Sequence, residues 1–217
     1  MRDFGLYIVI TDPILDYESF CEICVREEVP MLQLREKRMR DKDLLLLTKR
    51  LKAATKGSNT KLIINDRADI CLMAETDGLH LGSDDLPWQE TLSLLPDKSI
   101  IGVSTHSVAE ATNLIELCKS AHVVPKPDYM SFGPIYPTPA KAIPDAALGT
   151  GLLKQMIQIA PLPLIAIGGI FPFNLNEVLA AGARNIAMIR HFTRSREKAE
   201  LTDKIRAVMT MIKEKTQ

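Results

Sequence analysis

The stretch LPLIAIGGIFPFNLNEVLAAGARNIAMI, residues 162–189, decides the fold. It opens on an apolar run, LPLIAIGG (162–169), and passes through a helix-like segment, Leu175–Ala181, stopped by Gly182. It then returns to a second apolar run, NIAMI (185–189). Glycine just past a helix is a common stop, because its backbone tolerates the left-handed conformation that ends one. Neither run alternates apolar with polar residues, as expected of strands buried on both faces of a parallel sheet. The same unit recurs along the chain. Further strand-like runs are LYIVIT (6–11), MLQLR (31–35), KLIIN (61–65), GLHL (78–81), SIIGV (99–103) and YMSFG (129–133). Helix-like segments separate them, for example Asp41–Lys56 and Ser107–Ser120, the second opening with Ser107 three residues before Glu110 in a capping-box pattern. Eight strands, each followed by a helix, predict an α/β fold, a (β/α)₈ barrel forming one domain over residues 1–217. A doubly wound open sheet usually has fewer strands, and no G-x-G-x-x-G follows the first.

Composition bounds the function. Lys plus Arg equals Asp plus Glu at 27 each, so no net field draws the chain to nucleic acid or anionic lipid. The longest apolar runs fall far short of the ~20 residues of a membrane helix. The start, MRDFGLYIVITD, lacks a small-residue cleavage site, which argues against a secretory signal and for a cytoplasmic location. Cys21 and Cys24 form a C-x-x-C, but inside an amphipathic helical pattern, so they read as buried thiols on a helix face, not a redox pair.

A barrel of this kind carries its chemistry at the C-terminal ends of its strands. The second strand ends in Gln33, Arg35 and Lys37, which alternation puts on one side, facing the mouth. Two cations and an amide suit an anion, since Arg grips phosphate oxygens in pairs and Lys adds a point charge. Arg38, Arg40 and Lys42 read as a solvated charge run. Asn65-Asp66 ends the third strand, and Asp84-Asp85 follows the fourth. Carboxylates beside such a cluster suit Mg²⁺ bridging a diphosphate, with few protein ligands. Asp and Asn are also favoured caps and turn residues, so Asp66 admits a structural role at the start of a helix near Arg67. Ser104, Thr105 and His106 end the fifth strand; His106 reads as a general acid/base or a structural histidine. The long loop 133–151 offers Thr138 and Lys141 as ligand contacts. Gly168-Gly169 and Ile189-Arg190 end strands seven and eight, where these barrels usually bind phosphate.

Strings across nearly the whole chain resemble the thiamine phosphate synthase family: LYIVITD, LQLREK, LIINDRADICL, DGLHLGSDDLP, IIGVSTHS, DYMSFGPIYPTPAK, AIGGI and LAAGARNIAMI. The resemblance implies coupling of a hydroxymethylpyrimidine diphosphate to a hydroxyethylthiazole phosphate, with release of pyrophosphate. By similarity, Gln33, Arg35, Lys37 and Asn65 hold the pyrimidine diphosphate, and Asp66 and Asp85 ligate Mg²⁺. Ser104 and Lys141 contact the pyrimidine substrate and its diphosphate; with Arg35 and Lys37 they form the expected catalytic set. Thr138, Gly169 and Ile189 belong to the thiazole phosphate site. The implied partners are these small molecules; a homodimer is compatible with the sequence.

Two departures fall on the thiazole side. The family usually has a second Thr before the Lys, where this chain has Ala140, and a Ser after the strand-eight Ile, where it has Arg190 followed by His191. Arg190 is a candidate replacement phosphate ligand. The connection HVVPKPDYM (122–130) is longer than usual, with no function assigned. Two other readings remain: a non-catalytic barrel binding pyrimidine diphosphate, and a TenI-type thiazole tautomerase with His106 as acid/base.

Overall fold

In the computed structural model, residues 3–120, 126–138 and 146–216 are described. Eight parallel strands close into a barrel in sequence order. They are β1 (Leu6–Ile10), β2 (Met31–Leu34), β3 (Lys61–Asn65), β4 (Gly78–Leu81), β5 (Ile100–Thr105), β6 (Tyr129–Phe132), β7 (Leu164–Ile167) and β8 (Asn185–Met188). The helices are α1 (Tyr17–Arg26), α2 (Asp41–Thr55), α3 (Ala68–Ala74), α4 (Trp88–Leu92), α5 (Val108–Lys119), α6 (Gly149–Ile159), α7 (Pro172–Ala180), α8 (Arg190–Thr193) and α9 (Lys198–Thr216).

Every expected strand is present. The run 162–169 narrows to β7 because Gly168 and Gly169 have positive φ, which ends the pleat. At α5, Ser107 Oγ accepts from the Glu110 amide at 3.1 Å, as the sequence predicts. The return bond of a capping box differs: Glu110 Oε2 accepts from the His106 amide at 2.8 Å, one residue before the cap. Cys21 and Cys24 are buried on α1, where burial pushes the Cys21 thiol up to about 12, far from a reactive thiolate. Among the described residues, no helix is long and apolar enough to cross a membrane.

Strand periodicity divides the core in two. β1 sends Leu6, Ile8 and Ile10 outward to a large cluster beneath the helices, while Tyr7 points inward. The inner cluster is small: Tyr7, Met31, Ile63, Tyr129, Ile165 and Ala187. These side chains plug the barrel partway up, so the space above them opens as a cavity at the C-terminal ends of the strands. The plug depends on Gly102 of β5, where a Cβ would overlap the ring and hydroxyl of Tyr129. Overpacking of this kind costs about 1–3 kcal/mol. We therefore expect Gly102→Ala to lower Tm by roughly 2–10 °C. Gly151→Ala, at a helical site with nothing within 4 Å of the added Cβ, should leave Tm unchanged or raise it slightly. A thermal melt of both variants checks the pair.

Candidate functional site

The cavity at the barrel mouth has a volume of about 910 Å³ and takes residues from the ends of all eight strands. Gln33, Arg35 and Lys37 all line it, as the alternation along β2 requires. Gln33 lies deepest, its Nε2 donating to the Tyr7 hydroxyl at 2.8 Å. Arg35 is half-buried, and Lys37 stands exposed at the rim with its Nζ 3.2 Å from Asp66 Oδ2. Arg38 also lines the cavity, correcting its reading as purely solvated. Arg40 does stay outside, paired to Asp43 at 2.7 Å.

Asn65, Asp66, Asp84 and Asp85 line the same space. Asp66 is not a helix cap: the cap of α3 is Arg67, which makes no side-chain cap bond. Instead Asp66 sits in the left-handed region at φ 64°, with its amide donating to the His80 carbonyl at 2.8 Å. That backbone conformation costs an L-residue roughly 1 kcal/mol. It aims the carboxyl across the β3–β4 junction at Asp85. Burial, and after it the neighbouring Asp85 carboxyl, pushes Asp66 above the usual carboxylate range, against the pull of Lys37. Asp85 Oδ2 also accepts from the Gly82 amide at 2.7 Å, which closes its loop. Among the described residues no group of three or more His, Cys, Asp or Glu could hold a metal ion. Two facing carboxylates match a hard cation that keeps water and substrate oxygens as its other ligands.

On the far wall, Thr138, Gly169, Ile189 and Arg190 line the cavity. Asn174 of α7 fastens this side, its Oδ1 accepting from the Phe171 amide at 2.8 Å and its Nδ2 donating to the Gly169 carbonyl at 3.0 Å. Gly169 has φ 67°, and a Cβ there would lie 2.7 Å from Tyr136 Cβ, so only glycine fits without displacement. Arg190 is exposed with its guanidinium carbon 5.8 Å from the centre of the Phe171 ring, a stacking contact that holds it over the mouth. His191 does not line the cavity; it packs edge-on against Phe192. Lys141 and Ala140 lie outside the described residues, as does the start of the 122–130 connection.

Sequence reading missed several contributors. His80, Tyr7 and Ser131 face the cavity from inside their strands, and Arg194 lines its rim beside Asp12, 3.6 Å away. A signal existed for His80, the single polar residue within GLHL. Burial pushes its imidazole down to about 4, which keeps it neutral near pH 7. Ser104, which was expected, hydrogen-bonds His80 Nε2 at 2.7 Å. His106 lines the cavity too, but its ring is engaged with the Gly133 carbonyl at 3.2 Å.

Several known proteins are similar to this chain. A family model described as thiamine monophosphate synthase matches residues 6–192. A thiamine-phosphate synthase from Methanospirillum hungatei is 38% identical over 191 residues, covering 86% of this chain and 88% of that protein. Another, from Halalkalibacterium halodurans, is 35% identical over 192 residues and covers 87% of each. Among solved structures, thiamine phosphate pyrophosphorylase from Pyrococcus furiosus superposes with a TM-score of 0.84 at 23% identity, over 99% of this chain and 98% of that one. That likeness speaks for the fold.

An anion in this mouth should depend on Arg35. Charge-assisted hydrogen bonds contribute about 1.5–3 kcal/mol each. Arg35→Ala should therefore weaken pyrophosphate binding roughly 10- to 100-fold in calorimetric titration with Mg²⁺ present. Arg40→Ala should leave it unchanged.

Proposed function

The chain belongs to the thiamine monophosphate synthase family, and on that premise we propose that it joins a hydroxymethylpyrimidine diphosphate to a hydroxyethylthiazole phosphate and releases pyrophosphate. The reaction is an alkyl transfer, carried by a single domain spanning residues 1–217. One observation carries the reading above all: the described residues matching the family's two half-sites line one cavity of about 910 Å³.

The roles follow from charge. Arg35 and Lys37 hold the diphosphate, Asn65 supports it, and Gln33 and Ser104 take the pyrimidine ring deeper in the barrel. Lys141, which lies outside the described residues, adds a further cation by resemblance. As the carbon–oxygen bond of the hydroxymethyl group breaks, its electron pair leaves with the pyrophosphate. Arg35 and Lys37 then face the growing negative charge, a preorganised electrostatic role. The pyrimidine is left as a cation stabilised by its ring, and the thiazole nitrogen closes the new carbon–nitrogen bond. No proton is removed in that sequence, so no strong general base is needed. This accords with a neutral, buried His80 and with His106 tied to the Gly133 carbonyl.

Mg²⁺ is the proposed metal, held by Asp66 and Asp85, and when bound it neutralises diphosphate charge as a Lewis acid. The nearness of these carboxyls supports that assignment, because a divalent cation would offset both the burial and the neighbouring charge that raise Asp66. Thr138, Gly169 and Ile189 receive the thiazole phosphate. Arg190 takes the place of the family's serine there, supported by its position over the mouth on Phe171. We read the protein as cytoplasmic, acting on small molecules and not on nucleic acid or membrane, with a homodimer as the proposed assembly. A tautomerase would have little use for the carboxylate pair and the β2 cations.

Purified protein with both substrates and Mg²⁺ should form thiamine phosphate; tight pyrimidine diphosphate binding without product would establish the non-catalytic barrel instead. Asp85→Ala, or chelation with EDTA, should abolish turnover. Arg190→Ala should raise the KM for thiazole phosphate several-fold, since a charge-assisted contact contributes at least about 1.5 kcal/mol. An unchanged KM would place Arg190 in solvent.

A further inference from the structure

Beneath the substrate cavity, five polar side chains form an unbroken line. Gln33 Nε2 donates to the Tyr7 hydroxyl at 2.8 Å, and that hydroxyl lies 2.9 Å from the hydroxyl of Tyr129. Tyr129 lies 3.0 Å from His80 Nδ1, and His80 Nε2 lies 2.7 Å from Ser104 Oγ. Tyr7, Gln33, His80 and Tyr129 are at most 6% exposed. The line spans β2, β1, β6, β4 and β5, and its two ends are the residues assigned above to the pyrimidine ring.

We propose that this line has a single polarity, and that Tyr129 and His80 are positioning residues that turn the Ser104 proton toward the cavity. Each hydroxyl has one proton to give, and a neutral imidazole donates from one nitrogen and accepts at the other. Where every member gives one bond and takes one along the line, fixing any one bond fixes the rest. The Gln33 amide donates to Tyr7, so the Tyr7 proton goes to Tyr129. The Tyr129 proton goes in turn to His80 Nδ1. His80 then carries its proton on Nε2 and donates it to Ser104. Having accepted, Ser104 directs its own proton elsewhere. Ser131 Oγ, at 3.4 Å, is a weak partner, and the remaining direction is the cavity. At the other end, the Gln33 carbonyl oxygen is left for the ligand.

The floor thus offers an acceptor at Gln33 and a donor at Ser104. A flat nitrogen heterocycle with an amino group on one edge and a bare ring nitrogen on the other complements that pair. Reversing the polarity would require every member to turn, because a half-reversed line leaves two buried donors or two buried acceptors face to face. Tyr129 bonds His80 and His80 bonds Ser104, neither supplying a charge, so their effect on the reaction is exerted through the Ser104 hydroxyl. Only the identity of the ligand rests on the proposed function.

Nitrogen-15 NMR of the full-length protein with labelled histidine reads the tautomer directly, the His80 signals being identified by their loss in His80→Asn. His80 should be the Nε2–H tautomer, and the Nδ1–H form in the wild type would overturn the proposal. Tyr129→Phe removes the proton given to Nδ1, so His80 should shift toward the Nδ1–H form. The same substitution should weaken pyrimidine diphosphate binding about tenfold. Adding Ser104→Ala should then cause little further loss, since the two act through one hydroxyl; fully additive losses would also overturn it. If Tyr129→Phe fails to fold, the wild-type tautomer alone decides. A protein that makes no thiamine phosphate but has the expected tautomer and non-additive binding would refute the proposed function and leave this inference standing.

Discussion

The structure depends on closure of the sheet through β1 and β8, where Leu6, Tyr7 and Ile8 stand opposite Ile186, Ala187 and Met188. A closed parallel sheet has no free edge, and side chains alternate along every strand, so parity alone decides which residues face the barrel interior. Tyr7 is inward on β1, and Val9, two residues on, opens into the cavity opposite Gln33 of β2. The same parity carries Ile63 to Asn65 on β3 and Ile165 to Ile167 on β7. Slipping any strand by one residue would send its ligand-facing residues into the apolar layer beneath the helices. Fold and site are therefore set by the same constraint.

The mouth is electrostatically lopsided, and the cause is local. On the β2–β4 side, side chains supply the charge: two cations from β2 and two carboxylates from the loops that follow β3 and β4. On the β7–β8 side the backbone does most of the work, through glycines with positive φ and a loop fastened by Asn174. One half gains specificity from fixed charges and the other from close approach. Only the second has a replaced side chain at its rim, and the interlocked Lys37–Asp66–Asp85 contacts offer little room for a comparable exchange.

The fold was legible because buried parallel strands advertise themselves as apolar runs; strand ends moved by a residue or two, at β7 where two glycines take positive φ. The strand-end residues were legible for the same reason, since parity can be counted. What could not be counted was contact between strands distant in sequence. The Tyr7–Tyr129 pair joins residues far apart in the chain, and nothing in either local string marks their meeting. Asp66 was ambiguous because a turn residue and a metal ligand draw on the same chemistry; its left-handed backbone and its place beside Asp85 are visible only in three dimensions. Arg38 was read as solvated because exposure and cavity lining are not exclusive at a rim.

Arg190 is held by an aromatic face, and among the described residues it forms no ion pair. A guanidinium in a salt bridge is largely cancelled as seen from solution; one resting on a ring keeps its full charge. Its field extends over roughly 8–10 Å at ordinary ionic strength before counterions screen it. At the lip of a cleft whose far side holds further cations, such a charge adds to a field that favours anions. In the proposed phosphate role, Arg190 would therefore bear on the rate of capture as well as on the grip. The two would differ in salt dependence, capture slowing steeply as ionic strength rises while the short-range grip changes less.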